Sequence, residues 1–247
     1  VKAAVLEARG LRKAFSGVRA VDGVDLALRE GEWTALIGPN GAGKTTLLHL
    51  LGGQLRPDAG SVYFQGEEIT RRPAERRARA GLARTFQVPA LFPELTVREH
   101  VLAARLRGRW TLRPVPNRDR EAVEELLARC RLREKASRRA EELSHGDRRL
   151  LEIAVALASE PRVLLLDEPA AGLSPAEVDG LLVLLRELRR ERTSLAVLLV
   201  EHDMDVVFEL AERVVVMHRG RVLAEGSPEE VHRDPEVQAV YLGTREL

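Results

Sequence analysis

Short apolar runs rich in Val, Leu and Ile recur along the chain. Those at Val24 to Leu28, Trp33 to Ile37, Val62 to Phe64, Val163 to Asp167, Leu195 to Val200, Val214 to Met217 and Val222 to Ala224 read as strands. Between several of them lie segments with helical spacing: Lys44 to Leu51, Ala122 to Cys130, Arg148 to Ala158 and Ala176 to Arg190. Strands buried on both faces and alternating with helices predict an α/β fold with a largely parallel sheet. The first seventy residues differ, because close-spaced strand candidates are separated there by turns bearing Gly10, Gly17, Gly23, Gly31, Gly60 and Gly66. That pattern predicts an antiparallel β lobe at the front. From about Val88 to Ala158 no convincing long strand occurs, and the segment reads as a helical lobe. A loop is expected at Gly108 to Asp119, which carries Pro114, Pro116 and Asn117. The expectation is one domain over residues 1–247, with no internal repeat.

Composition narrows the class. With 45% hydrophobic residues, 31% charged residues and a formal net charge of +1, the chain reads as a soluble globular protein able to bury a large core. Only Lys2, Lys13, Lys44 and Lys135 are lysines, so arginine dominates the basic set. The cluster Arg71, Arg72, Arg76, Arg77 and Arg79 is interleaved with acids, which leaves no net basic field to gather a nucleic acid. A solvated, salt-bridged helical face is expected instead. The single cysteine, Cys130, excludes an internal disulfide and is expected on a half-buried helix position. Val1 to Arg9 shows no secretory pattern. The longest apolar runs fall well short of the roughly 20 residues of a membrane-spanning helix. A place in the cytoplasm is expected, with any work at a membrane depending on a partner.

Chemistry concentrates in two segments. Gly38-Pro39-Asn40-Gly41-Ala42-Gly43-Lys44-Thr45 fits the phosphate-loop pattern GxxxxGK[ST], directly after one predicted strand and before a predicted helix. Glycines let successive N–H groups turn toward phosphate oxygens, and the helix N-terminus adds a positive dipole. The expected cradle runs from Gly38 to Thr46, with Lys44 on the β- and γ-phosphates of a nucleoside triphosphate and the Thr45 hydroxyl on Mg²⁺; the two motifs permit many such hydrolases, and the residues between them decide which. The second segment, Val163 to Glu168, is an apolar strand ending in two carboxylates. Asp167 is expected to hold Mg²⁺ through water, and Glu168 to act as general base on the attacking water. An acidic pair before Pro169 can also simply end a strand; the upstream phosphate loop favours the site.

Between these segments, Leu143-Ser144-His145-Gly146-Asp147 followed by a helix resembles the signature segment of the ABC ATPase family. Phe15, Gln87 in Arg84-Thr85-Phe86-Gln87 and His202 in Glu201-His202-Asp203 stand in the family's order, and the resemblance covers essentially the whole chain. It implies that Phe15 stacks on adenine, Gln87 touches Mg²⁺ and the attacking water, and His202 contacts the γ-phosphate and steadies Glu168. Ser144 and Gly146 would cap the γ-phosphate of ATP held by an opposite ATP-binding subunit. Two departures stand out: LSHGD replaces the usual LSGGQ, and Ser174 stands where an aspartate is common.

Longer strings sharpen the resemblance: Leu91-Phe92, Leu95-Thr96-Val97, Gly146 to Ala154, Asp167 to Leu173, Glu201 to Met204 and Tyr241-Leu242-Gly243. Together they resemble the ATP-binding subunit of branched-chain amino acid importers. That resemblance implies a second ATP-binding subunit, transmembrane permease subunits, a solute-binding protein further out, and a place on the cytoplasmic face of the membrane. Urea or amide importers and lipopolysaccharide or lipid exporters are the nearby alternatives. Soluble ABC ATPases are a different class, disfavoured by one phosphate loop, one cysteine and no heptad run.

Overall fold

The computed structural model describes residues 3–85, 91–106 and 114–242. An antiparallel sheet stands at the front, in the order β2-β1-β4-β5, from β1 (Ala4–Phe15), β2 (Val18–Arg29), β4 (Ala59–Phe64) and β5 (Glu67–Glu68). β1 and β2 turn at Ser16 and Gly17, whose φ values of 48° and 88° give the two-residue hairpin geometry that suits strand twist. The apolar pattern marked only Val24 to Leu28 here. The strands are far longer because their outer halves alternate with exposed polar residues, which dilutes a run of apolar ones.

The second sheet has the order β10-β9-β3-β8-β7-β6, built from β3 (Trp33–Ile37), β6 (Leu82–Arg84), β7 (Val163–Asp167), β8 (Ala196–Val200), β9 (Arg213–His218) and β10 (Arg221–Gly226). All its pairings are parallel except β9 with β10. Every residue of β3, β7 and β8 is buried, which is why these strands were legible as continuous apolar runs. The register pairs Leu36 with Val200 and Val200 with Asp167, so the carboxyl ends of three neighbouring strands finish at one level.

The helices are α1 (Lys44–Gly52), α2 (Ala74–Ala80), α3 (Val97–Arg105), α4 (Asn117–Arg129), α5 (His145–Ala158), α6 (Pro175–Glu191), α7 (Met204–Leu210), α8 (Pro228–Arg233) and α9 (Pro235–Leu242). Between β6 and β7 the chain runs through α3, α4 and α5, which pack on one another around Val101, Val123, Leu127 and Ile153. A second core lies between the two sheets around Leu47, Leu51, Val62 and Leu165.

Several expectations need correction. Asn117 to Asp119 begin a helix, because Pro116 precedes its first turn and ends the loop early. The helix expected from Arg148 starts at His145, where the Ser144 side chain accepts the Asp147 N–H and caps it. Cys130 is fully buried at the end of α4, and burial pushes its thiol up to about 12, so it stays a neutral packing group. Arg77 leaves the solvated face on which it was placed. It is 1% exposed and donates to the carbonyls of Leu50, Leu51, Thr70 and Arg72, closing the C-terminal end of α1. Its neighbours Arg72 and Arg79 do form the expected ion pairs, with Glu67 and Glu75.

Candidate nucleotide site

The loop from 38 to 43 joins the buried end of β3 to the first turn of α1. Gly38 (φ 148°) and Gly43 (φ 104°) have no room for a side chain: a Cβ would come within 2.2 Å of the Met217 carbonyl oxygen and 2.1 Å of that of Ala20. Glycine at both points lets the loop lie against β9 and β2. Lys44 is buried and donates to the carbonyls of Gly38 (2.6 Å) and Pro39 (3.1 Å). Burial lowers its pKa, an effect opposed by the nearby charges of Glu168 and Asp167. The loop lysine and the two carboxylates of the acidic strand are therefore electrostatic neighbours, as the motifs required.

Asp167 ends β7 with its backbone N–H on the Thr85 hydroxyl at 3.3 Å. Arg84, at the end of β6, donates to its Oδ2 at 2.8 Å and to Gln54 at 3.2 Å. The other oxygen, Oδ1, is buried and has no hydrogen-bond partner among the described residues. Such an orphaned oxygen beside a phosphate loop suits a divalent cation. Among the described residues no group of three or more His, Cys, Asp or Glu converges as a metal cage. A single carboxylate with one open oxygen suits Mg²⁺, which keeps several waters and takes phosphate oxygens for the rest. Gln87, expected to join them, lies outside the described residues.

Glu168 follows Asp167 with φ 47°, a left-handed conformation seldom taken by a non-glycine residue, and its N–H donates to the Val200 carbonyl at 2.9 Å. His202 stands just beyond the neighbouring strand β8 with its side chain 67% exposed. Phe15 sits at the tip of the β1–β2 hairpin, 44% exposed, with the Lys13 ammonium 5.6 Å from its ring centre. An accessible π-face at that tip is what adenine stacking requires.

Ser144 caps the N-terminus of α5, and Gly146 lies in its first turn. There Asp147 accepts two bonds from Lys135 at 2.6 Å and one from the Ser144 hydroxyl at 2.8 Å. His145 lies 3.3 Å from the Ala171 carbonyl. A Cβ on Gly146 would fall 2.3 Å from the Glu177 carboxylate, and Glu177 also accepts from the Ser174 N–H and hydroxyl. Both departures from the common signature thus make contacts within their own chain. The pattern of residues gave no sign of the roles of Arg84, Lys135 or Glu201, whose partners lie 12 or more positions away or on the backbone, whereas Glu177 closes a Ser174-x-x-Glu177 capping box that spacing alone could have disclosed.

A phosphate loop and an acidic strand end, side by side at the carboxyl edge of a parallel sheet, define a nucleoside triphosphatase of the phosphate-loop class. The family model described as ABC transporter matches residues 21–171, and that described as branched-chain amino acid ATP-binding cassette transporter matches residues 221–246. The chain belongs to the ABC transporter family and is an ATP-binding, ATP-hydrolysing subunit of it. It is 42% identical over 250 residues to the high-affinity branched-chain amino acid transport ATP-binding protein BraF of Pseudomonas aeruginosa, covering 97% of this chain and 98% of that one. It is 38% identical to the lipopolysaccharide export system ATP-binding protein LptB of Acidithiobacillus ferridurans, covering 97% of each. Among solved structures, the ADP conformation of MJ1267, an ATP-binding cassette of an ABC transporter, superposes with a TM-score of 0.86 at 31% identity, covering 98% of this chain and all of that one. The dimeric MJ0796, a bacterial ABC transporter cassette, gives 0.81 at 26% identity, covering 90% and 98%. Among the described residues no helix is long and apolar enough to cross a membrane.

Proposed function

We propose that this chain works as one of a pair of ATPase subunits on the cytoplasmic face of a membrane, energising import of branched-chain amino acids through permease subunits fed by a solute-binding protein. The observation that carries the solute class is the likeness to BraF, which runs through 97% of the chain and includes the 221–246 segment that the branched-chain family model matches. The exporter relative shares the cassette at lower identity.

Residues 38–46 hold the phosphates, with Lys44 leaving the carbonyls of Gly38 and Pro39 to meet them. Thr45, Asp167 and Gln87 hold Mg²⁺, which when bound neutralises developing charge on the phosphoryl oxygens. Phe15 stacks on adenine without reading its edge. Glu168 takes a proton from the attacking water, and His202 steadies Glu168 and meets the γ-phosphate. Ser144 and Gly146, at the positive end of α5, close over the γ-phosphate held by the facing subunit.

The test is to purify the chain with its co-purifying membrane proteins, reconstitute the complex, and offer leucine, urea and lipid. ATP-driven uptake of leucine is expected. Movement of lipid alone, or a complex with no membrane protein, overturns the import reading.

A further inference from the structure

One buried carboxylate beside the site has no part in the chemistry described so far. Glu201, the residue after β8, is 1% exposed. Its Oε1 accepts the Ala170 N–H at 2.9 Å and its Oε2 accepts the His202 N–H at 3.2 Å, with the Asp203 N–H also directed to it. The His202 Nδ1 lies 3.8 Å from the same Oε2.

The strand register gives these contacts their meaning. Asp167 and Val200 are ladder partners, so Glu168 and Glu201 leave the sheet side by side. Glu168 does so at φ 47°. A non-glycine residue persists there only when its surroundings hold it. On one side the hold is the Glu168 N–H on the Val200 carbonyl; within the turn, the Ala171 N–H reaches back to the Glu168 carbonyl at 3.1 Å. On the far side it is Glu201, grasping the peptide two residues beyond Glu168. The same carboxylate grasps the backbone of His202. Burial pushes the Glu201 carboxyl pKa up, and the backbone N–H groups of Ala170, His202 and Asp203 oppose that rise. Burying the carboxylate carries a desolvation cost that these backbone N–H donors offset, and an apolar residue in its place would leave them unmet.

We infer that Glu201 is a positioning residue for hydrolysis, a clamp that holds the strained turn of Glu168 and the backbone of His202 in one frame. The inference rests on the ATPase reading above, with Glu168 as base and His202 at the γ-phosphate. Glu201 touches neither substrate nor metal; it acts by keeping two groups within reach of one water and one phosphate.

The experiment is a double-mutant cycle on the full chain in its assembled complex, using Glu201→Gln, His202→Ala and both together. Glutamine keeps the shape but sets an NH₂ against one of the backbone N–H donors. Glu201→Gln should lower kcat by about 10- to 100-fold, the scale of a displaced catalytic group, and leave KM within about threefold. In the His202→Ala background the same change should cost markedly less, because part of what it positions is gone. Glu201→Asp, which withdraws the carboxylate by one methylene, should show the same loss in smaller degree, and it decides the matter if the glutamine variant does not fold. A kcat within twofold of the parent, a loss carried by KM, or equal losses in both backgrounds overturns the clamp. A His202→Ala chain with unaltered turnover overturns the site reading instead, and the clamp with it.

Discussion

Arg84 donates to Oδ2 of Asp167 across 2.8 Å with both side chains almost wholly buried, and this pair leaves Oδ1 as the open oxygen of the carboxylate. Burial lowers the Arg84 pKa, against the pull of Asp167. The pair therefore carries a desolvation cost that its geometry must offset. Removing one partner strands the other as a buried charge. Arg84→Met should lower unfolding free energy by about 3–5 kcal/mol, and the double change Arg84→Met with Asp167→Asn should recover more than half of it. Urea unfolding of the parent and the two variants measures both quantities; a single-variant loss under about 1 kcal/mol would make the pair energetically idle.

Arg77 serves the phosphate-loop helix from its other end. Its guanidinium meets four backbone carbonyls with no carboxylate among its hydrogen-bond acceptors, and burial lowers its pKa to about 10. Arg77→Met should cost about 3–5 kcal/mol, from several buried acceptors left unmet at about 1–3 kcal/mol each with partial relaxation. Arg77→Lys should rescue little, since one ammonium cannot reproduce the planar fork. The sign of the pH effect is fixed by the lowered value. Below about 10 both folded and unfolded states of the parent hold the proton, so the cost of Arg77→Met is flat across neutral pH. A cost varying strongly between pH 6 and 9 would mean that another group is involved.

Asp147 replaces the common signature glutamine, and Lys135 neutralises it from within the chain. Burial raises its pKa, but the bonds from Lys135 and Ser144 outweigh that and hold it below the usual carboxylate range. With a lowered folded value, the stabilisation is present at neutral pH and lost as pH falls below about 4. Lys135→Met should leave the Asp147 charge without its neutralising ammonium, facing the place where the partner's γ-phosphate arrives. ATP-driven pairing, followed by light scattering in a Glu168→Gln background, should weaken by about tenfold, or ~1.4 kcal/mol. Adding Asp147→Asn should restore it. Unchanged pairing in Lys135→Met would show that position 147 does not face the nucleotide.

What the sequence disclosed and what it hid follow one physical division. The phosphate loop and the Asp167–Glu168 strand end are local: their chemistry lies within nine and six consecutive residues between buried elements, so spacing alone exposes them. Arg84, Arg77 and Glu201 act across the fold, on residues 83, 26 to 27 and 31 positions away, and their partners include backbone groups that any residue type supplies. No periodicity marks such pairs. The arginine cluster shows the limit best: the expected salt-bridged helical face holds for Arg79 in α2, while Arg72 makes its ion pair from the segment before that helix and Arg77 is buried.

Ser144 and Gly146 stand at the head of α5, engaged with Asp147, Glu177 and the 170s of their own chain, while Lys44, Asp167 and Glu168 gather at the sheet edge. If the signature closes only over a partner's ATP, one chain holds two half-sites and hydrolysis needs a pair. Activity of the isolated chain should then rise faster than linearly with its concentration. Mixed subunits sharpen the test. Ser144→Arg blocks the signature with a bulky charge and keeps the phosphate loop; Lys44→Ala loses a charge-assisted phosphate contact and keeps the signature. Each should be nearly inactive alone. Mixed in equal amounts, about half of the pairs combine unlike chains if association is random, and each such pair holds one intact composite site and one doubly damaged site. Recovered turnover should therefore approach about a quarter of the parent's if single sites fire independently, and fall below that if both must close together. Linear concentration dependence with no recovery on mixing would mean that the site is complete within one chain, and the paired reading would fail.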